Sequence, residues 1–351
     1  MRLTRSIWIS LFAGLVGVAA LPSFAMHSGG VGSCKECHTT HDDAISQGAP
    51  GIPLLRGGNA TDTCLRCHAT TSGNTWGNSL LVPGPTYGAG PFIFLEEDNI
   101  GDGAADGVVR GNQAGHNVVS IERGTSSDPD FTTAPGGTYP SDKLQCTSCH
   151  DPHGKGGHFR LLYGSDTPPS QAGGYSFTYN APAPTAVGVD VDGSPESKTN
   201  HTAYVSGMTR WCGSCHGNSY HSEGGTSAFH HPVDEQLESE IVNNYNQYRG
   251  TGFMDGTGLD AYEPLVPVED PNATINWTGP VTTQSRVTCI SCHRAHASSG
   301  PHSGRWDFHI TTWAEEGIKS GSYPIPNPYQ LTAGPAQQRL CHKCHGSSIP
   351  D

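Results

Sequence analysis

The sequence predicts a chain of mostly irregular coil, with short α-helices and few short strands, organised around bound groups rather than around an ordinary hydrophobic core. Composition and cysteine placement predict this class. Of the 351 residues, 46 are glycine and 26 are proline, and only 34% are hydrophobic. All twelve cysteines fall in one short repeated motif. Without bound groups, such a chain is poor at burying a core and approaches the disordered class.

The repeated motif is Cys-x-x-Cys-His, which occurs six times. Its cysteines are Cys34, Cys37, Cys64, Cys67, Cys146, Cys149, Cys212, Cys215, Cys289, Cys292, Cys341 and Cys344. Its histidines are His38, His68, His150, His216, His293 and His345. Two thiols at this spacing can form thioether bonds to the two vinyl groups of one haem, and the adjacent histidine then reaches the iron. The motifs therefore predict six covalently attached haems c, and the fold class is that of a multihaem c-type cytochrome organised around a chain of six haems.

Paired cysteines also occur in zinc sites, thioredoxin-like redox pairs and structural disulfides. Zinc sites and disulfides do not require a histidine directly after the second cysteine, yet all six motifs have one. Haem also accounts for the composition, because six large macrocycles supply the apolar surface that the sequence lacks. Each haem holds the chain covalently and through iron. We therefore expect the chain without haem to be largely unfolded.

Residues 1–25 have the features of a secretory signal peptide. Arg2 and Arg5 precede an apolar run at 7–21, and the small residues Ser23 and Ala25 precede the expected cut. In bacteria c-type haem is attached outside the cytoplasmic membrane, so the motifs require such a signal. No later apolar run is long enough to cross a bilayer. The mature protein is expected to be one hexahaem unit, residues 26–351, in the periplasm or beyond.

The formal net charge is −13 at pH 7. It becomes more negative when the two arginines of the signal are removed, and haem propionates add further negative groups. This balance argues against nucleic acid as a partner. It argues equally against binding to a membrane surface.

Local patterns predict few regular elements. Turn-forming residues are concentrated at 84–92, 124–141 and 164–200. A strand is a candidate at 116–123. A helix is predicted at 234–249, capped by Asp234 and ended by Gly250. Its apolar stripe is Leu237, Ile241, Tyr245 and Tyr248. Short helices are also expected to carry the haem motifs, for instance at 335–345.

The second axial ligand of each iron decides between a carrier and an enzyme. The chain has 19 histidines; six of them end the motifs, so thirteen others are available. It has only four methionines: Met1, Met26, Met208 and Met254. Ligation by histidine and methionine could serve a couple of haems at most, whereas ligation by two histidines could serve all six. An iron with both axial positions filled has no place for a substrate. The supply of ligands therefore predicts an electron carrier and not an enzyme.

Three motifs continue to a further histidine, in the pairs His38 with His41, His150 with His153, and His293 with His296. A residue three positions on in a helix lies about 5–6 Å away on the same side, whereas the two axial ligands of one iron lie on opposite faces of the ring. His41, His153 and His296 are therefore predicted to ligate a neighbouring haem and to hold two haems close together.

Four more histidines are candidate distal ligands: His27, His116, His221 and His231. His231 precedes a proline, and His27 and His116 lie among glycines, where backbone can approach a haem closely. The remaining histidines are predicted not to bind iron; they are His158, His201, His230, His302, His309 and His342. Seven candidates for six irons leave one that is surplus or that ligates across a subunit boundary.

Several stretches resemble one known family. They are 27–31, 34–41, 115–119, 132–155 (TTAPGGTYPSDKLQCTSCHDPHGK), 207–216 (GMTRWCGSCH), 289–298 (CISCHRAHAS) and 339–345 (RLCHKCH). These stretches look like the hexahaem outer-surface cytochrome S family of metal-reducing bacteria. The resemblance covers roughly half of the mature chain. Regions 73–110, 157–200 and 297–335 do not match in detail.

The resemblance implies haems with two histidine ligands, stacked in alternating parallel and T-shaped pairs. It also implies an extracellular or outer-surface location and head-to-tail polymerisation into conductive filaments. The residue matching His41 ligates the fifth haem of the adjacent subunit in that family, which would account for the surplus ligand. Extracellular electron acceptors and other cytochromes are the implied partners.

Two functions of other kinds are alternatives to this one. A multihaem reductase needs one iron with an open position, yet all six motifs end in histidine and further histidines are abundant. A monomeric periplasmic electron shuttle would share every haem feature and lack only ligation between subunits. The assembly state of the purified protein separates the shuttle from the filament.

Overall fold

The computed structural model of the 351-residue chain describes residues 34–39, 54–70, 75–78, 88–96, 114–166, 170–172, 175–188, 200–217, 232–247, 261–264, 266–298, 301–305 and 342–345. Within these ranges the chain is mostly irregular coil with short helices and few short strands, which confirms the coarse fold class. The predicted signal peptide lies outside them. No helix in the described ranges is long and apolar enough to cross a membrane.

Most of the helices in the described ranges carry a haem motif. They are α1 (Cys34–Cys37), α2 (Ala60–His68), α3 (Cys146–Cys149), α4 (Met208–His216), α5 (Ser239–Gln247), α6 (Cys289–Cys292) and α7 (His342–His345). Single 3-10 turns lie at Phe92–Leu95, Ser141–Lys143, Phe159–Leu161 and Pro301–Ser303. Only α5 contains no motif residue, so the expectation that short helices carry the motifs is confirmed.

Local hydrogen bonds explain why some motif helices last only one turn. At α3 the hydroxyl of Ser148 accepts a hydrogen bond from the backbone N–H of Gln145 at 2.8 Å. Ser291 does the same for Thr288 at the start of α6, at 3.1 Å. Such capping satisfies donors that the first turn leaves unpaired. At the other end of α3, His150 is already in extended conformation, with φ −106°. The histidine therefore leaves the helix at the point where its ring must turn toward iron.

The strands form two small antiparallel hairpins. β1 (Ser170–Ala172) pairs with β2 (Tyr175–Phe177), and β3 (Thr185–Val187) pairs with β4 (Ala203–Ser206). The register of the second pair shifts between Thr185 and Ala186. β1, β2 and β3 lie in the segment 164–200, for which the sequence predicted only turns. That prediction was incomplete, because each strand is too short to show an alternating pattern.

Many of the buried apolar residues in the described ranges lie in three clusters. The first includes Leu65 of α2, Trp76 and the residues Phe92–Leu95. The second includes Tyr245 of α5, with Cys292 and Cys344 packed against it. The third is Tyr204, Met208 and Ile290, with Cys212 packed against it. Each cluster lies beside a motif helix, so the described apolar packing is organised motif by motif.

The helix predicted at 234–249 starts later than the sequence pattern indicates. It begins at Ser239, and its described part ends at Gln247. Asp234 is not the cap: its backbone has φ +66°, and its carboxylate pairs with Arg210 at 2.6 Å. Leu237 is buried although it precedes the helix. A competing ion pair to another helix therefore displaced the predicted start.

The strand predicted at 116–123 is wrong. The backbone partners of residues 116–119 are scattered: His116 N–H donates to His296, Val118 N–H donates back to His116, and Val119 N–H donates to Leu144. Residues 121–124 form a turn closed by a bridge between Ser120 and Thr125. Backbone that meets a different partner at each residue makes no ladder.

Candidate haem sites

No disulfide is formed among the eleven cysteines that the structure describes. Thiols of different motifs approach each other in two places. Cys64 donates a hydrogen bond to Cys146, which raises the pKa of Cys64 and lowers that of Cys146. Cys212 and Cys289 form the same kind of pair, with the pKa of Cys212 raised and that of Cys289 lowered. The second motif therefore lies beside the third, and the fourth lies beside the fifth.

Six histidine rings share one arrangement, in which Nδ1 is bonded to a backbone carbonyl. The acceptors are Leu54 for His38 (3.3 Å), Ala295 for His116 (2.8 Å), Arg160 for His150 (2.7 Å), Pro135 for His216 (3.1 Å), His302 for His293 (2.9 Å) and Gly90 for His296 (3.1 Å). Such a bond holds the proton on Nδ1 and makes Nε2 the nitrogen with a lone pair. Ligand histidines in metal sites are oriented in this way by outer partners.

Three pairs of rings face each other across a similar gap. The ring centres are 6.3 Å apart for His38 and His153, 6.4 Å for His150 and His296, and 5.8 Å for His116 and His216. With metal–nitrogen bonds of about 2 Å on each side, two imidazoles on opposite faces of one iron have centres roughly 6 Å apart. In geometry and donor chemistry, these three pairs fit a haem iron.

Each of the three pairs joins a motif histidine to a histidine from a distant part of the chain. His153 lies against His38 rather than against its own motif histidine, His150. His296 likewise lies against His150 and not His293. This is the placement that ligation of a neighbouring haem requires. Ligation itself stays a prediction.

Burial keeps one motif ring, His216, and the distal rings His116 and His296 in the form that binds metal. It lowers the pKa of His216 to about 4, with nearby His116 adding to the effect. It lowers the pKa of His296 to about 3, with His150 contributing. The pKa of His116 is lowered by the same cause. At neutral pH these imidazoles are uncharged, and only the uncharged ring has a lone pair to donate.

Close backbone packing positions the ring of His296. Its backbone N–H donates to Ala89 at 2.7 Å, and Phe92 stacks on the ring with centres 4.4 Å apart. A Cβ on Gly90 would lie 1.9 Å from the carbonyl oxygen of Ala297. Only glycine permits this approach, so the segment 88–92 forms a fitted support for the ligand.

Two histidines predicted not to bind iron have protein partners that account for them. Both ring nitrogens of His158 are engaged, with the carbonyl of Leu162 and the carboxylate of Asp166, each at 2.8 Å. The ring of His201 is buried, bonds the carbonyl of Trp277 at 2.9 Å and stacks on Tyr262. His158 shares the bond from Nδ1 to a carbonyl with the paired rings, but in both His158 and His201 the nitrogen Nε2 is already bonded to protein.

Other predicted site residues cannot be compared with a partner. His27, His41, His221, His231 and Cys341 lie outside the described residues. The motif histidines His68, His293 and His345 are described, and the distal candidates left for them are His27, His41, His221 and His231. The sequence did not reveal the carbonyl acceptors or Phe92, because backbone acceptors have no side-chain signature. It also did not single out Asp151, which lies directly between His150 and Pro152.

Comparisons with known proteins agree on one relative. The chain is 30% identical to the C-type cytochrome OmcS of Geobacter sulfurreducens, over 98% of this chain and 99% of that protein. It is similar to the solved outer membrane cytochrome S filament of the same organism, with TM-score 0.69 and 26% identity, over 92% of this chain and all of that one. A cryo-EM structure of OmcS nanowires gives TM-score 0.70 and 27% identity over the same shares. No protein-family model matches.

Proposed function

Because this chain belongs to the family of the C-type cytochrome OmcS, we propose that it conducts electrons along six covalently attached haems, each held by two histidines. The observation that carries the proposal is the set of three ring pairs, 5.8–6.4 Å apart, whose motif members each follow a Cys-x-x-Cys sequence. When bound, each haem iron takes up and releases one electron between its ferric and ferrous states.

The haems are numbered here in the order of their motifs. Cys34, Cys37 and His38 would hold haem one, with His153 as the second ligand. Cys146, Cys149 and His150 would hold haem three, with His296. Cys212, Cys215 and His216 would hold haem four, with His116. Neutral rings with Nδ1 bonded to protein support these assignments for His116 and His296.

Contacts between motifs support a contiguous haem chain. The sulfur contacts of Cys64 with Cys146 and of Cys212 with Cys289 favour neighbouring positions for haems two and three, and for haems four and five. Haem one would be joined to haem three through the three-residue step from His150 to His153. The corresponding step from His293 to His296 would join haem five to haem three. Electrons could then pass between haems without a mobile carrier.

The remaining haems, two, five and six, would draw their second ligands from His27, His41, His221 and His231. We assign His41 to the fifth haem of an adjacent subunit. His27, His221 and His231 are then the candidates for haems two and six, so one of these three would bind no iron. Repeated head to tail, the bond from His41 would build a filament outside the cell. The similarity to filament structures supports assembly of this kind. Extracellular acceptors and other cytochromes would be its partners, and the shuttle would be its monomeric alternative.

With both axial positions filled at every iron, the protein would not act as an enzyme. Oxidised protein is expected to be wholly low-spin, and reduced protein is expected not to bind carbon monoxide. His296→Ala is the positive control, because it should open haem three and bind one carbon monoxide per chain. Difference spectra under carbon monoxide measure this binding in the unmodified protein and in His296→Ala. Stoichiometric binding by the unmodified protein would favour a reductase instead.

Haem content is a second expected result. Mass spectrometry of the mature protein should give the polypeptide from Met26 plus six haems, since all twelve cysteines lie in motifs. Denatured protein should contain no thiol that reacts with a thiol reagent. A mass lower by one haem, together with a reactive thiol, would show that one motif is not a haem site.

A further inference from the structure

Asp151 is a buried carboxylate set between two histidines of the proposed haem chain. It directly follows His150, and only 4% of the residue is exposed. Its carboxylate accepts hydrogen bonds from the backbone N–H of His153 at 2.9 Å and of Lys155 at 2.8 Å. Asp151 therefore closes the turn that carries His153 away from His150 and toward His38.

The same carboxylate gives His153 a different electrostatic setting from six other proposed ligands. Nδ1 of His153 lies 4.0 Å from Oδ1 of Asp151. In His38, His116, His150, His216, His293 and His296, Nδ1 instead has a neutral backbone carbonyl as its partner. At this distance Nδ1 of His153 donates no hydrogen bond to the carboxylate, so the carboxylate acts on the haem through its negative charge. A nearby negative charge stabilises ferric iron relative to ferrous iron.

We propose that Asp151 lowers the reduction potential of haem one through its negative charge beside His153, so that haem one has the lowest potential of the three haems whose ligand pairs are described. The inference rests on the proposed ligation of haem one by His38 and His153. Asp151 is a positioning residue in this scheme, since it does not touch the iron. The reaction is the uptake of one electron by ferric haem, in which the carboxylate forms and breaks no bond.

Charges on the other side of the site are weaker influences. Lys35 is exposed, and Arg56 donates to the carbonyl of Lys35. Solvent screens such surface cations, whereas Asp151 is shielded from solvent by protein. With the lowest potential, haem one would stay mostly oxidised and would pass electrons on rather than retain them.

The ring planes give haem one its own spectroscopic signature. The planes of His38 and His153 are nearly parallel, at 5°. The planes are 63° apart for His150 with His296 and 60° apart for His116 with His216. Parallel axial imidazoles separate the iron d orbitals more than crossed ones do. The paramagnetic resonance signal of ferric haem one should therefore have a smaller maximum g value than the signals of haems three and four.

The test is a redox titration of the holoprotein followed by paramagnetic resonance. The low-spin signal that disappears in His153→Ala identifies haem one. In the unmodified protein this signal should titrate below those of haems three and four. In Asp151→Asn its equilibrium constant for reduction should rise about threefold to tenfold, which is about 30–60 mV for a one-electron couple.

Two further variants separate charge from shape. Asp151→Glu keeps the charge, so the reduction potential of haem one should change less in this variant than in Asp151→Asn. Asp166→Asn removes a carboxylate from His158, a histidine with no proposed iron, and should change no potential.

Three results would overturn the proposal. The first is a haem-one signal that titrates above the signal of haem three or of haem four in the unmodified protein. The second is an unchanged potential of haem one in Asp151→Asn, with haem one still low-spin. The third is a rise in the potential of haem one in Asp151→Glu that equals the rise in Asp151→Asn. If His153→Ala instead retains six low-spin haems, the ligand assignment itself fails, which distinguishes that failure from a failure of tuning alone.

Discussion

Replacing His41 with Ala is expected to turn filaments into monomers and short oligomers. The variant should keep six haems, because no thioether is touched. The haem held by Cys289 and Cys292 should lose its second ligand and become high-spin. An iron–nitrogen bond at every junction would be lost, and its contribution far exceeds the roughly 0–1 kcal/mol of a surface ion pair. Electron micrographs and the high-spin absorption band measure the two effects.

His158→Ala is the matched control for His41→Ala. It also removes an imidazole, but both ring nitrogens of His158 already bond to protein at 2.8 Å. This control should form filaments of normal length with six low-spin haems. Normal filaments in His41→Ala would show that the junction ligand comes from elsewhere. Monomers of the unmodified protein in the same micrographs would favour the periplasmic shuttle.

The chain produced without haem is expected to lose its whole folding free energy, which for a domain is about 5–15 kcal/mol. The described helices have four or nine residues, whereas isolated helices need about 12–15 residues to be even marginal. Two-stranded hairpins are also marginal alone. Three separate apolar clusters, each beside a motif, offer no common core to replace the haems.

Circular dichroism during urea titration of the reduced apoprotein measures this loss. The apoprotein should show no sigmoidal transition, while the holoprotein under the same conditions should show one. A reductant in both samples prevents disulfides between unused thiols. A cooperative transition in the apoprotein would mean that polypeptide contacts alone specify the fold.

Features encoded within a few residues were predictable from the sequence. The motifs, the short helices that carry them and the predominance of coil follow from local spacing and composition. The same holds for the stripe residues Ile241 and Tyr245, which lie in a helix as predicted. The predicted helix start at Asp234 failed because the carboxylate pairs with Arg210 on α4 instead. An ion pair of this kind depends on tertiary structure and leaves no local pattern.

The candidate sites divide in the same way. The three-residue spacing from their own motif histidines excluded His153 and His296 as second ligands of the same iron. The two rings do lie beside histidines of other motifs. Spacing could not show which motif each would face, because His38 and His153 meet only after the intervening chain has folded back. The sequence also did not predict which residues hold the rings in place. Gly90 and Phe92 act on His296 through a carbonyl and a stacking contact that composition does not encode.

The ring pairs also have a consequence for the topology of the chain. With iron between them, they would close loops from 38 to 153, from 116 to 216 and from 150 to 296. Each loop spans about 100 residues or more, and a cross-link over such a length removes roughly 4–5 kcal/mol of entropy from the unfolded chain in the loop-closure model. Each loop also begins before the previous one has ended, so the three closures interlock. No segment between 38 and 296 could then separate alone, and the holoprotein would unfold as one unit although its apolar clusters are separate.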